Sequence, residues 1–331
     1  MTGKHVAIVG ATGAVGQDLL AVLAAREFPI ASLRLLASAR SAGSRLDFGG
    51  ESIAVQALQA DSFAGIDLAL FSAGGETSRQ FAPLAVAAGA VVVDNSSAFR
   101  MDPTVPLIVP EVNPAAIADH RGIIANPNCS TILLVLALAP LHREASLRAV
   151  VVSSYQAASG AGRRAMLELR DGVQRSLRGE PQVHEAMPHP LGFNVIPQID
   201  VFQPDGYTRE EDKMLYETRK ILGLPDLTVD ATCVRVPVER CHSESVTVLL
   251  ERAIDPGRAR QLFAAAPGLE LEDEPEQRRY PMPLQMAGRD PVAVGRVRRA
   301  RVLAPGLTFW LCGDQLRKGA SLNAVQIAEL L

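Results

Sequence analysis

The stretch ANPNCSTILL, residues 125–134, sets one cysteine directly before an apolar run that continues to His142. Read as a helix, CSTILLVLALAPLH puts Cys129 in the first turn, with Pro140 near the end. A thiol in that position lies among unpaired backbone amides at the positive end of the helix dipole, which stabilises the thiolate and raises its nucleophilic fraction. The other reading is a small hydrophobe in a core, the usual fate of a free cysteine. A nucleophilic thiol needs a base. RVPVERCHSES, residues 235–245, supplies Arg235 and His242 on either side of Pro237, which ends a strand and forces a turn. An imidazole there can remove the thiol proton and later return a proton. SSYQAASGAGR, residues 153–163, carries a strand into a small-residue turn, with Gln156 near its edge and Ser159, Gly160, Ala161 and Gly162 able to pass close to a ligand.

A second constellation opens the chain. The β-branched run HVAIVG is followed by Gly10-Ala-Thr-Gly13-Ala-Val-Gly16 and then by LLAVLAARE at helical spacing, a strand, glycine turn and helix. Residues without side chains let the backbone approach a pyrophosphate, and the amides at the helix start hold it. A plain tight turn between strand and helix would use the same glycines. The next strand, SLRLLAS (32–38), ends without the acidic residue that would take a ribose hydroxyl, and leads instead into Arg40 and Ser41. A guanidinium beside hydroxyls suits a 2′-phosphate through charge-assisted bonds, which points to NADP; an ordinary surface arginine in a loop is the alternative.

These residues need elements to position them. DLALFSAGG, QFAPLAVAAG, AVVVDNS and GIIANPN continue the alternation of strand and helix, so the first half reads as a doubly wound, mostly parallel sheet of the Rossmann-like α/β class. A second, α+β domain beginning near Cys129 would hold a sheet built from AVVVSSYQ, TVDATCVRVPV, ESVTVLLE, PVAVGRVRRARVL and GLTFWLCG, with helices over 160–178 and 208–222. Thr208 and Glu211 form a capping box, so Glu211 reads as structural, while Glu210 and Lys213 share a helix face and could be an exposed ion pair. Segment 268–290 reads as a surface excursion. At 331 residues two domains are expected. With 48% hydrophobic and 21% charged residues and a net charge of −3, neither disorder nor a broad nucleic-acid footprint is indicated, and a small-molecule partner fits better. The four cysteines are too scattered for a disulfide framework or a metal knuckle. No apolar stretch reaches membrane-spanning length, and MTGKHVAIVG enters a strand without a secretory layout, so a cytoplasmic location is expected.

The chain resembles the bacterial aspartate-semialdehyde dehydrogenases through GATGAVG, ASARSAG, DNSSAFR, NPNCST, SYQAASGAG, FNVIPQIDVF, EEDKMLYETRKI, RVPVERCHSES and DQLRKGASLNAVQIAELL, in order and over nearly the whole length. The resemblance implies that Cys129 is the acyl-forming nucleophile, Gln156 orients the intermediate and His242 is the general acid/base. It implies that Arg235 grips a carboxylate, Arg100 and Lys213 bind phosphate, Glu210 meets an ammonium and Asn128 contacts substrate. Cofactor contacts would fall on Gly10, Thr12, Gly13, Ala14, Val15 and Gly16, on Arg40 and Ser41, on Ser159 and Gly160, and on Gln315, with NADP as cofactor. The last helix would return to the first domain, giving a dinucleotide-binding domain of residues 1–128 and 315–331 and a catalytic and dimerisation domain with a mixed sheet over 129–314. The implied activity is the reversible, NADPH-dependent reductive dephosphorylation of L-aspartyl 4-phosphate to aspartate semialdehyde in a homodimer. An N-acetyl-glutamyl-phosphate reductase and a non-catalytic paralogue are the rival readings.

Overall fold

A computed structural model describes residues 3–331. The chain forms two compact units, Met1–Asn128 with Ala320–Leu331, and Cys129–Gly319. The return crossing thus falls after Gly319, where the sequence reading put it after Asp314.

The first unit runs β1 (Lys4–Val9), α1 (Ala14–Ala25), β2 (Ile30–Ala37), β3 (Arg45–Phe48), β4 (Glu51–Ala57), β5 (Leu68–Phe71), α2 (Gly75–Ala87), β6 (Val91–Asp94) and β7 (Ile123–Ala125). Its sheet has the order β3-β4-β2-β1-β5-β6-β7, parallel except for the β3–β4 pair. The chain therefore builds outward from β1 first on one side and then on the other, and such a switch point leaves a crevice beyond the carboxyl end of the first strand. Both faces of β1 are covered. Val6 and Ile8 pack among residues of α1, whereas Ala7 and Val9 pack on the opposite face with Phe63, Phe71 and the α2 residues Ala82 and Ala85. A strand buried on both faces reads as an unbroken apolar run, as HVAIV does. The β3–β4 hairpin is an addition to the sequence reading; Gly49 and Gly50, both at positive φ, make its turn.

The second unit runs α3 (Cys129–Ala145), β8 (Leu147–Gln156), α4 (Arg163–Leu177), α5 (Arg209–Leu222), β9 (Thr228–Arg235), β10 (His242–Leu250), α6 (Pro256–Ala265), β11 (Leu269–Leu271), α7 (Pro283–Met286), β12 (Val292–Arg299) and β13 (Gly306–Gly313). Its sheet is mixed, in the order β11-β12-β13-β10-β8-β9, with parallel pairs at β11–β12 and β8–β9 and antiparallel pairs between. Helix α3 is buried from Ser130 through Leu141, which is why its sequence is apolar on every side. Helix α4 starts at Arg163 rather than at 160, because Gly162 at φ 91° breaks the backbone after a short 3-10 turn over 158–161. Segment 268–290 is more than a surface excursion, since β11 extends the sheet beside β12. The chain then returns to the first unit as α8 (Leu322–Glu329), whose Leu322, Val325 and Ile327 complete the core around α1. No helix among the described residues is long and apolar enough to cross a membrane.

The capping box at the start of α5 forms as read: the Thr208 side chain accepts the Glu211 N–H, and the Glu211 carboxylate takes the Thr208 N–H at 2.6 Å. Its other oxygen accepts the Cys233 N–H at 2.9 Å, tying α5 to β9. Replacing Thr208 by Ala should lower stability by about 1 kcal/mol, the usual worth of such a cap, seen as a lower urea midpoint at an unchanged denaturant slope.

Candidate active site

Three neighbouring strands end at one level. Gln156 closes β8, Arg235 closes β9 as its direct partner, and His242 opens the antiparallel β10, with Ser243 opposite Tyr155. Because side chains alternate faces every residue, this register turns Gln156, Arg235 and His242 to the same face. All three are buried. The peptide groups of Ala157, just past the end of β8, hold two of them: the carbonyl accepts Arg235 Nη1–H at 2.7 Å, and the N–H donates to His242 Nδ1 at 3.1 Å. Nδ1 is the acceptor there, so the neutral ring carries its proton on Nε2, a buried nitrogen with no partner among the described residues. Burial holds the imidazole pKa well below its ordinary value, the charge of Arg235 adds to this, and the Cys241 carbonyl pulls weakly the other way. The small-residue turn after β8 lies directly against both groups. A methyl group on Gly160 would come within 2.8 Å of Arg235 Nη1 and 3.0 Å of His242 Nε2.

Cys129 is the first residue of α3 and is half-buried, the alternative of a sealed core thiol being that of Cys233, Cys241 and Cys312. Backbone crowds its base: a methyl on Gly319 would lie 2.9 Å from Cys129 Cβ. Burial lowers the pKa of Arg235, while Glu210 and the Cys129 sulfur offset part of that drop, which places the thiol within electrostatic reach of the guanidinium.

Glu210 and Lys213 do pair, at 3.1 Å, yet not as a solvated surface pair. The first turn of α5 faces the sheet, Glu210 is buried, and its second oxygen accepts from Gln156 Nε2 at 3.2 Å. Gln156 also donates to Ser154 at 3.2 Å. Lys213 reaches a further partner that the sequence reading missed, Asp200, at 2.8 Å. Burial alone would lower the Lys213 pKa, but the two carboxylates outweigh it and hold the ammonium above its ordinary value. Asp200 stands at φ 67° and its Oδ1 accepts the Val201 N–H at 2.9 Å, which sets it in a turn that QIDVF alone does not reveal.

In the first unit the glycine turn takes its shape for separate reasons. Gly10 has φ 86°, and a methyl there would meet the Ser72 carbonyl at 2.4 Å. A methyl on Gly16 would meet the Gly10 carbonyl at 2.3 Å, so this glycine lets α1 pack on β1. Gly13 is exposed and caps α1 without a side chain, so no side chain caps the first-turn amides of Ala14, Val15 and Gly16, with Thr12 beside them. Arg40 and Ser41 follow β2 in a short 3-10 turn, with Arg40 exposed. The turn and the basic residue beyond β2 fit a phosphorylated dinucleotide. Arg100 and Asn128, both buried, also belong to this unit; Arg100 donates to the carbonyls of Asn126 at 2.9 Å and Asn95 at 2.8 Å. Gln315 belongs to the second unit, buried and bonded to Ser159 and to Cys241.

The first unit matches the semialdehyde dehydrogenase NAD binding domain over residues 5–120, and residues 138–318 match the semialdehyde dehydrogenase dimerisation domain. The class is thus that of the semialdehyde dehydrogenases. An aspartate-semialdehyde dehydrogenase of Aquifex aeolicus is 53% identical over 99% of this chain and 98% of its own length. The crystal structure of aspartate semialdehyde dehydrogenase II from Vibrio cholerae, complexed with ASA, is 45% identical, covers 100% of this chain and 98% of its own, and superposes with a TM-score of 0.97. A Candida albicans aspartate semialdehyde dehydrogenase solved with NADP is 26% identical over 99% and 98%, with a TM-score of 0.78. The chain belongs to the aspartate-semialdehyde dehydrogenase family.

One buried acid near the site was missed altogether. Glu244 lies two residues along β10 from His242 on the same face, opposite Ser154, fully buried, with neither oxygen hydrogen-bonded among the described residues. Burial pushes its pKa well above the carboxylate range, so the folded protein keeps it neutral where the unfolded chain ionises it. The folded state then binds the extra proton, and stability falls as pH rises past the ordinary carboxylate value, by up to about 1.4 kcal/mol per pH unit. Glu244→Gln should remove this loss. Its denaturant midpoint should exceed that of the parent near pH 8 and converge with it near pH 5.

Proposed function

We propose that this protein is an aspartate-semialdehyde dehydrogenase catalysing the reversible conversion of L-aspartyl 4-phosphate, NADPH and a proton into L-aspartate 4-semialdehyde, NADP and phosphate. The observation that carries the reading is the Ala157 peptide pair, which sets an arginine and an imidazole side by side in the unit whose α3 begins with Cys129. The ASA complex of the Vibrio relative supports the substrate. In a first step the Cys129 thiolate attacks the acyl carbon, the C–S bond forms, the C–O bond to phosphate breaks, and phosphate leaves with both electrons. Lys213 is suited to bind it, since two of the three ammonium hydrogens already lie toward Asp200 and Glu210 and the third remains. Arg100 is its second proposed phosphate ligand.

Arg235 takes the substrate carboxylate and Glu210 its ammonium, two ionic contacts that fix the reacting carbon relative to the sulfur, with Asn128 as a further contact. Glu210 also favours a free amine over an acetylated one, which sets this reading above an N-acetyl-glutamyl-phosphate reductase. When bound, NADPH supplies the hydride that reduces the thioester. The hemithioacetal oxygen gains negative charge as this happens, and His242, as general acid/base, meets it with its Nε2–H, which donates to the oxygen; Gln156 orients the same intermediate. Collapse then breaks the C–S bond and frees the aldehyde and the thiolate.

The proposed cofactor ligands are Gly10, Thr12, Gly13, Ala14, Val15 and Gly16 for the pyrophosphate, Arg40 and Ser41 for the 2′-phosphate, and Ser159, Gly160 and Gln315. The NADP complex of the Candida relative is in keeping with this choice. The dimerisation-domain match supports a homodimer through the second unit. The proposed activity serves the biosynthesis of lysine, threonine, methionine and diaminopimelate, which goes with a cytoplasmic location.

Mixing the protein with aspartate semialdehyde, phosphate and NADP should raise absorbance at the reduced-nicotinamide band, and omitting phosphate should abolish the rise. Turnover of N-acetyl-glutamate semialdehyde in preference would overturn the assignment. Cys129→Ala should abolish turnover while NADP still binds, as followed by calorimetry. Arg40→Asp should raise the KM for NADP at least tenfold and leave that for NAD within a factor of about two; an equal loss for both would remove Arg40 from 2′-phosphate recognition.

A further inference from the structure

The resemblance assigns Gln315 only as a cofactor contact, yet its side chain bridges two pieces of the second unit. Oε1 accepts the Cys241 N–H at 2.8 Å, and Nε2 donates to the Ser159 hydroxyl. Cys241 immediately precedes His242 and stands at φ 77°, a left-handed conformation that a non-glycine residue holds only when its surroundings fix it. Ser159 immediately precedes Gly160, the residue that lies against His242 Nε2 and Arg235 Nη1. Ser159 is also laid along the chain by its own N–H, which donates to the Glu239 carbonyl at 3.0 Å, while the Ala158 N–H donates to Val238 at 2.8 Å. Asp314 grips the adjoining position: its fully buried carboxylate takes Arg240 Nε–H at 2.6 Å and the Gly288 N–H at 2.7 Å. Residues 314 and 315 thereby hold residues 240 and 241 side by side, one by an ion pair and one by an amide.

We infer that Gln315 is a positioning residue for His242: its amide spans Cys241 and Ser159 and so sets how closely the Gly160 turn lies on the imidazole. A side-chain amide suits this task, offering an acceptor and a donor at once in a planar frame and carrying no charge into a buried site beside a histidine. Gln315 thereby acts on the geometry of proton exchange, and its second N–H remains for a cofactor contact. The inference rests on the proposed role of His242.

Steady-state kinetics in the direction of aldehyde oxidation test it, with parent, Gln315→Ala, Gln315→Glu, Ser159→Ala and His242→Asn compared over the full pH range. Gln315→Ala should lower kcat at saturating NADP at least tenfold and move the acidic limb of the kcat profile, whatever rise in the KM for NADP the lost cofactor contact adds. Gln315→Glu should restore only part of kcat, because a carboxylate still accepts from Cys241 while the Ser159 hydroxyl turns to donate, and its charge should move the acidic limb to higher pH than in Gln315→Ala. Ser159→Ala, which removes one anchor and leaves the buried Gln315 in place, should show a milder form of the same effect and serves if Gln315→Ala does not fold. A raised KM for NADP at unchanged kcat would overturn the inference in favour of a cofactor contact, and an unmoved pH profile would overturn it outright. Nitrogen NMR of 15N-histidine-labelled protein, assigned with His242→Asn, supplies a readout independent of turnover. A shifted His242 resonance in Gln315→Ala or Ser159→Ala supports the positioning role, and an unshifted one refutes it. Should the parent fail to turn over the aldehyde, or His242→Asn match it, the functional proposal fails while the NMR comparison still decides whether Gln315 fixes the ring.

Discussion

One residue fixes the two buried polar groups at the edge of the second unit's sheet. Ala157 follows the last residue of β8, its carbonyl holds the Arg235 guanidinium and its amide holds the His242 ring. Neither side chain is placed by its own strand alone. A pleated sheet supplies the face and the level, and the backbone just beyond its edge supplies the direction in which each group points. Burial makes this strict, because a charged group and a titrating ring withdrawn from water must find partners in fixed places.

The same economy recurs one layer out. Glu210 serves Lys213 with one oxygen and Gln156 with the other, and Glu211 serves the cap of α5 and the Cys233 amide. Two successive acidic residues thus perform separate tasks from one helical turn: one links Lys213 to Gln156, the other fixes the helix to the sheet. Substituting either would disturb both of its partners, so such effects will not add across double variants.

Much of this was legible in the sequence where local chemistry decides. The strand, glycine turn and helix of the first unit follow from HVAIVG and GATGAVG, and Thr208 with Glu211 announced the start of α5. Long-range packing was not legible. Glu210 and Lys213 read equally well as a surface pair, because nothing in EEDK says which face of α5 meets the sheet, and Asp200 enters only through a turn remote in sequence. Glu244 sits in ESVTVLLE, where alternation alone would turn it to one face or the other; that this face is closed by α3 is a fact of tertiary structure. The Gly49-Gly50 hairpin carried a local signal that was overlooked, while the division of the chain after Gly319 follows from tertiary contacts that no local pattern encodes.

The order of assembly differs from the order of the chain. The first unit takes Leu322, Val325 and Ile327 of α8 into the core formed around α1. During synthesis the strands from β1 to β7 therefore leave the ribosome with one wall of their interior still missing, and they wait through the whole of the intervening unit before it arrives. Such a nascent intermediate exposes apolar surface for many seconds at ordinary elongation rates of roughly 5–20 residues per second, long enough to engage chaperones. The helix that follows the glycine turn thus gains its last core neighbours only when the end of the chain has been made.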